Sequence, residues 1–303
     1  MELSKGPAVS IVMCVYNGAS FLEEQIESIL TQSFYDFELL ILDDNSSDSS
    51  ETIIKAFAQK DPRIRYIRND KNLGFNKNFE KGLSLASGEL IAISDQDDIW
   101  MNDKIQRLVS NLTDHLLIYS NSSLVNEHGI PLEDRLDNRI KHVDNPSYKA
   151  FLDGNFITGH TCLFKRSLLQ YVLPFPPQLF FYDWWLGFAA SYNGKVKYLD
   201  EVLTQYRIHT SSVMQKIKGK DTSSNINLNK HLQLKAFAES KFLGARDKDF
   251  ILKFLRLKAS VGHSLYSFVS CYSFLLKHHN EIYPWYNKSA LKKLNFLRKQ
   301  CNK

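Results

Sequence analysis

At 303 residues the chain can bury a substantial core, and its 44% hydrophobic and 23% charged content excludes a disordered polymer. No stretch reaches the roughly twenty apolar residues that span a bilayer, and the start lacks the basic, apolar and cleavage regions of a secretory leader, so a cytoplasmic protein is expected. The net charge of +5 hides an asymmetry: Lys241 to Lys303 holds 13 basic against 3 acidic residues, leaving the first 240 net acidic.

Val9 to Val15 is apolar and β-branched, is closed by Asn17-Gly18, and reads as a buried strand. Ser20 precedes Glu23 at capping-box spacing, and Leu22, Ile26, Ile29 and Leu30 recur at helical intervals. Phe37 to Leu42 is a second strand running into Asp43-Asp44; a helix with Ile53, Ile54 and Phe57 follows, broken by Asp61-Pro62. Ile64 to Ile67 is a third strand, Asn78 to Ala86 a helix, and Leu90 to Ile93 a fourth strand. That strand ends in Asp95-Gln96-Asp97-Asp98, three carboxylates in four residues, which are costly to gather at a core edge without a cation between them. Strands alternating with helices predict a parallel sheet, whose ligands bind beyond the carboxyl ends of its strands. Tyr16-Asn17, Asp43-Asp44 and the acidic cluster all fall on that rim.

Beyond Trp100 the pattern predicts a helix with Ile105, Leu108, Val109 and Leu112, a strand at Leu116 to Tyr119, and a polar, irregular stretch over 121–148. Residues 216–230 read as a loop or linker, and the chain is helical from about His231. There Leu257, Val261, Leu265, Phe268, Val269, Tyr272, Leu275 and Leu276 form one apolar stripe. Cys14, Cys162, Cys271 and Cys301 are scattered and suggest neither a disulfide framework nor a zinc site.

Six pieces in order carry a resemblance: Val15-Tyr16-Asn17-Gly18, Leu42 to Asp48, Ala86-Ser87-Gly88-Glu89, Ser94 to Trp100, Tyr182-Asp183-Trp184-Trp185 and Tyr206-Arg207-Ile208-His209. From about Val9 to Val213 the chain resembles the inverting, nucleotide-sugar-dependent glycosyltransferases of family 2, and its Asp-Gln-Asp-Asp-Ile-Trp variant resembles bacterial polysaccharide rhamnosyltransferases. The resemblance implies an α/β fold of GT-A type: a Rossmann-like, mostly parallel sheet flanked by helices, with a C-terminal helical extension. The expected division is a catalytic domain over 1–215 (nucleotide-binding half 1–100, acceptor half 101–215), a linker over 216–230 and a basic extension over 231–303.

It further implies that Asp97, with Asp95 and His209, holds Mn²⁺ or Mg²⁺ against a diphosphate, and that Asp44 meets the nucleotide base beside Val15 and Tyr16. Gln96, Lys77 and Arg207 complete the donor set, Arg207 as a bidentate phosphate partner. Many members carry a basic residue where this chain has Asn78-Phe79-Glu80, which leaves the diphosphate contact there to Lys77, to Asn76 or to no residue at all. Asp183, between aromatic side chains that would raise its basicity, matches the general base that deprotonates the acceptor hydroxyl. Gly159, His160, Trp184 and Trp185 are placed on the acceptor side. Blander readings stand beside these: a solvated turn for Asp95 to Asp98, an Asx-turn cap for Asp44, a helix N-cap for Asp183.

The expected activity is transfer of a sugar from a UDP- or dTDP-donor, dTDP-rhamnose included, to a lipid-linked precursor of a bacterial lipopolysaccharide or capsule. The basic tail would lie on anionic lipid at the inner face of the cell membrane. No nucleic-acid module accompanies the charge, so nucleic acid is not an expected partner. Two rivals differ in class. A nucleotidyltransferase would want a Gly-rich phosphate loop that Val15 to Ala19 does not offer; a non-catalytic sugar-nucleotide binder would not need Asp183.

Overall fold

The computed structural model describes residues 6–210, 212, 223–262 and 264–301, with the backbone alone for 223–227. Strands β1 (Val9–Val15), β2 (Phe37–Asp43), β3 (Ile64–Arg68) and β4 (Leu90–Ser94) pair in parallel in the spatial order β3-β2-β1-β4. Helices α1 (Ala19–Leu30), α2 (Ser50–Lys60) and α3 (Phe75–Leu85) make the crossovers. The chain steps outward from β1 to β3, then returns to lay β4 on the other side of β1. The order therefore reverses between β1 and β4, and a crevice opens beyond their carboxyl ends.

The second half extends the same sheet. Its elements are β5 (Ile99–Trp100), α4 (Lys104–Leu112), β6 (Leu117–Val125), β7 (Pro131–Arg135), β8 (Cys162–Lys165), α5 (Leu169–Val172), α6 (Tyr182–Asn193) and β9 (Val196–Arg207). Strand β8 runs antiparallel between β4 and β6, β9 lies parallel to β6, and β5 closes the far edge against β9. Helices α7 (Ser223–Glu239), α8 (Ala245–Ser260), α9 (Leu265–Lys277), α10 (His279–Ile282) and α11 (Ala290–Cys301) complete the described chain.

Alternation along the central strands builds two cores. Ile11 and Met13 of β1 with Leu39 and Ile41 of β2 meet α1 and α4 through Leu22, Ile26, Ile105 and Leu108. Val12, Leu40 and Leu42 face the opposite side, where Phe79 and Leu83 of α3, most of α6 and the C-terminal helices pack. Each fully buried aliphatic contributes roughly 1.5–3 kcal/mol, so this two-sided burial is what commits the sheet to its register.

Four expectations are corrected. Ser20 lies inside α1 and does not cap it; the N–H groups of Asn17, Gly18 and Ala19 are taken by Ser46 Oγ, Ser50 Oγ and Asp48 Oδ2, from the loop after β2 and the first residue of α2. The stretch 121–148 is not irregular throughout, because β6 continues to Val125 and fully buries Ser120, Asn121 and Ser122 between β8 and β9. The second half of 216–230 is helical from Ser223, while 216–222 and Val213 lie outside the described residues. The C-terminal apolar stripe is not one helix: α8 stops at Ser260, Gly262 takes φ +95°, and a Ser264–Ser267 capping box starts α9 in a new direction.

Candidate active site

The rim beyond β1 and β2 is held by its own side chains. Asn17 and Asn45 adopt left-handed backbone, which asparagine tolerates. Ser47 N donates to Asn17 Oδ1 (2.8 Å), Ser46 N to Asp43 Oδ1 (2.8 Å), and Tyr66 Oη to Asp43 Oδ2 (3.1 Å). Asp43 is thereby spent on the loop. Asp44, 3% exposed, accepts from Asn69 Nδ2 and Leu73 N on Oδ1 and from Gly74 N on Oδ2, at 2.8–2.9 Å. A carboxylate has about four acceptor sites, so Oδ2 keeps one for a ligand. Val15 is buried beneath, and the Tyr16 side chain is half exposed above. Gln96 ties the two strand ends together, its Oε1 accepting from Tyr16 N at 2.8 Å.

Beyond β4 the four residues of the acidic cluster do different things. Asp97 Oδ2 lies 2.8 Å from His209 Nε2, whose ring packs on Phe21 at 4.6 Å. Asp98 is fully buried; Oδ1 accepts from Arg207 N (3.1 Å), while Oδ2 is a buried oxygen without a hydrogen bond. His160 Nδ1 stands 3.5 Å from Asp95 and 3.8 Å from Asp98, its Nε2 is 3.1 Å from Ser122 Oγ, and its ring stacks on Tyr206. Beneath them the fully buried Lys104 donates to His160 O (2.6 Å) and Thr204 Oγ1 (2.8 Å) and lies 3.7 Å over the Trp100 ring.

Burial pushes Asp98 up to about 7, with Asp97 and Asp95 adding to it against the pull of His160. Burial likewise drives Lys104 down to about 7, opposed first by Asp98. For His160 burial works downward, but the carboxylates of Asp98 and Asp95 outweigh it and the group ends above its ordinary value.

Asp183 sits in the first turn of α6 with Trp184 N 2.7 Å from Oδ1. Burial raises its carboxyl to about 7, and the Asp95 charge adds to the rise against the N–H groups of Trp184 and Gly159. Its side chain remains partly open to solvent. The helix start is pinned from two sides. Asn76 of α3 accepts Tyr182 N (3.1 Å) and donates to Leu179 O and Phe180 O. Gln233 Oε1 of α7 accepts Phe180 N (2.9 Å) and Phe181 N (3.0 Å).

The structure thus gathers Asp95, Asp97, Asp98, His209, His160, Gly159 and Asp183 on one side of the sheet edge, linked by the contacts above. It places other expected residues elsewhere. The buried Arg207 guanidinium is engaged by Asp97 O, Glu127 O and Glu24, so it braces the acidic loop where a phosphate contact was expected. Lys77 Nζ is 2.6 Å from Glu80 Oε2 on the outer surface of α3. Trp184 and Trp185 point into the core, their ring N–H groups donating to Phe151 O and Val172 O, because a helix of nearly continuous apolar sequence buries all but its site-facing edge. The sequence reading missed Asn76 as a clamp, Gln233, Lys104 and Ser122. Only Lys104 had a signal, a lysine at an apolar register of α4 beside Ile105 and Leu108.

The donor chemistry suits a hard divalent cation. Asp95, Asp98 and His160 each bring one ligand atom within 4.8 Å of the others, and Asp98 offers the orphaned oxygen. Asp97 with His209 forms a separate oxygen–nitrogen pair; the sequence expectation joins Asp95 to these two, whereas among the described residues Asp95 groups with Asp98 and His160.

A parallel sheet that switches direction at a carboxylate-lined crevice, continued by a mixed second half, is the GT-A architecture of sugar-nucleotide-dependent glycosyltransferases. Residues 10–173 match glycosyl transferase family 2, more than half of the chain, and the chain belongs to that family. It is 25% identical over 295 residues to the GalNAc(5)-diNAcBac-PP-undecaprenol beta-1,3-glucosyltransferase of Campylobacter jejuni, covering 95% of this chain and 90% of that one. It is 28% identical over 208 residues to the UDP-Glc:alpha-D-GlcNAc-diphosphoundecaprenol beta-1,3-glucosyltransferase WfgD of Escherichia coli, covering 68% and 79%. Residues 1–349 of Staphylococcus aureus TarS, solved with UDP-GlcNAc, share the fold at a TM-score of 0.62 and 16% identity, covering 97% of this chain and 88% of that one.

Proposed function

We propose that the protein is a metal-dependent, inverting glycosyltransferase that moves one hexosyl or deoxyhexosyl unit from a UDP- or dTDP-sugar to a hydroxyl of a lipid-linked bacterial surface glycan. The observation that carries this is Asp183, a carboxyl held near neutrality at a braced helix start and electrostatically coupled to Asp95. At pH 7 such a group is poised to take the proton of an acceptor hydroxyl as that oxygen attacks the anomeric carbon from the face opposite the leaving diphosphate. Asp97 and His209, with Asp95, would hold Mn²⁺ or Mg²⁺, which when bound offsets the charge of the leaving diphosphate. Asp44, through its remaining acceptor site, takes the imide N–H of a uracil or thymine, with Val15, Tyr16 and Gln96 shaping the pocket. His160 and Gly159 orient the acceptor side, and Arg207 acts through the loop it braces.

The lipid-linked acceptor is supported by the two undecaprenol-linked relatives, and the uridine donor by WfgD and by the TarS complex. A peripheral place on the inner face of the cell membrane follows from such an acceptor together with the basic extension. The division at 215 and 231 belongs to the same reading, with the qualification that Gln233 makes the extension part of the site's frame.

The test is to assay UDP-glucose, UDP-GlcNAc and dTDP-rhamnose with an undecaprenyl-diphosphate sugar acceptor and to assign the product anomer by NMR. Inversion with one donor, lost in Asp183→Asn while UDP binding persists, is the expected outcome. Retention of the anomeric configuration, or full turnover in Asp183→Asn, would overturn it. Asp97→Ala should abolish the Mn²⁺-dependent part of UDP binding in calorimetry; undiminished binding would remove the metal assignment.

A further inference from the structure

Helix α9 carries no charged residue from Leu265 to Leu276. Its inner side, Cys271, Phe274 and Leu275, joins the core. Its outer side does not: Leu265 is 80% exposed, Tyr266 82% and Val269 50%, and Leu276 follows on the same face about two turns below Val269. An exposed apolar face of this kind marks an interaction surface. The exposed face continues onto α11, which the 3.5 Å contact of Tyr272 Oη with Leu294 O brings alongside, and where Leu291 is 82% exposed.

The charges carried by this part of the chain are nearly all of one sign. Between Leu265 and Cys301 stand Lys277, Lys288, Lys292, Lys293, Arg298 and Lys299 against a single acid, Glu281. That acid is already engaged by Lys149 and His278. A second copy of the chain would bring the same positive charge against itself. An anionic bilayer interface takes both the apolar side chains and the surrounding cations. Among the described residues no helix is long and apolar enough to cross a membrane, so the face suits lying in the interface plane.

We propose that the outer face of α9, continued by Leu291 and Leu294 of α11 and ringed by lysines and arginines of both helices and their connection, docks the enzyme on anionic phospholipid by shallow insertion of Leu265, Tyr266 and Val269. The proposal deepens the lipid-linked-acceptor reading, on which its purpose rests, and it names insertion where the basic tail alone would give only attraction.

The experiment is co-sedimentation of the full chain with phosphatidylcholine vesicles, with and without phosphatidylglycerol, scored by partition and therefore independent of turnover. Expected are at least about tenfold tighter binding to the phosphatidylglycerol vesicles and loss of most of it in Leu265→Ser/Tyr266→Ser/Val269→Ser. Lys292→Glu/Lys293→Glu should abolish the preference for anionic vesicles. Both variants should keep the wild-type melting temperature and UDP binding, since the altered side chains point away from the core. No binding to anionic vesicles, or equal binding by the triple variant, overturns the proposal. So does a concentration-dependent dimer that the triple variant dissolves while vesicles are ignored, which would make this face a contact between copies. If vesicle binding holds while no sugar is transferred, the docking surface stands and the reaction assignment falls.

Discussion

Asn76 and Tyr182 lie 106 residues apart, yet the Asn76 side chain accepts the Tyr182 N–H at 3.1 Å and donates to Leu179 O and Phe180 O in the same turn. One amide of the nucleotide-binding half thus fixes the helix start that presents Asp183. Asn76→Ala leaves these partly buried polar groups unpaired, which costs about 1–3 kcal/mol. Urea unfolding should show that loss, and kcat should fall several-fold while the Kd for UDP stays nearly constant. A change confined to UDP affinity would contradict the assignment of Asn76 to the acceptor side.

The Asp183 carboxyl sets a pH dependence with two opposite faces. Activity needs the ionised form, so kcat should rise with pH through about 7. Stability runs the other way. The folded-state value is raised above the unfolded one, so the contribution of the proton is complete at low pH and is lost as pH rises through about 7. Asp183→Asn removes that loss: its melting temperature should match or exceed wild type, with the gap widening between roughly pH 4 and pH 7. Calorimetry across that range checks the slope.

Lys104 has no water to retreat to. With Nζ fixed on His160 O and Thr204 Oγ1, Lys104→Met leaves two buried acceptors without their donor, a change that costs about 1–3 kcal/mol for each group left unpaired. Adding Asp98→Asn should recover part of the stability, because Asp98 is the leading charge that favours the Lys104 cation and its own remaining partner is His160. Strict additivity of the two losses in denaturant unfolding would show that the groups are not coupled.

Gly159 is a fit imposed by its neighbour. A Cβ there would stand 2.2 Å from Tyr182 Oη and 3.0 Å from Tyr182 Cζ. Gly159→Ala should therefore displace either the turn carrying His160 or the first turn of α6, lowering both melting temperature and kcat. Gly159→Ala/Tyr182→Phe, which removes the nearest atom, should regain part of the stability. Failure of any rescue would place the strain elsewhere in the turn.

Much of the candidate site was readable because its residues follow strand ends. The continuous apolar runs of β1, β2 and β4 could be read directly, and a polar run that follows such a strand must lie at the sheet rim. That logic put Tyr16, Asp44, Asp95 and Asp97 at the rim, where these strands end. It also read Asp183 between aromatics, although Trp184 and Trp185 turn inward, since adjacent positions on a helix point about 100° apart. Arg207 shows the limit of the approach. An arginine next to a site histidine reads as a phosphate contact, whereas its five donors are drawn to the carbonyls of two loops and to Glu24.

The alternation of strand and helix, the carboxylate rim and the resemblance that names the family are written in the chain, because each depends on short-range periodicity and spacing. Which polar groups are spent on the protein, and which keep an open acceptor, is set by the packing of distant segments. Asn76, Gln233 and Lys104 act through partners 50 to more than 100 residues away. The outer face of α9 is apolar in sequence like its inner face, and only packing leaves one covered and the other open. Hydrogen-bond satisfaction and burial are properties of the assembled neighbourhood, and no local pattern encodes them.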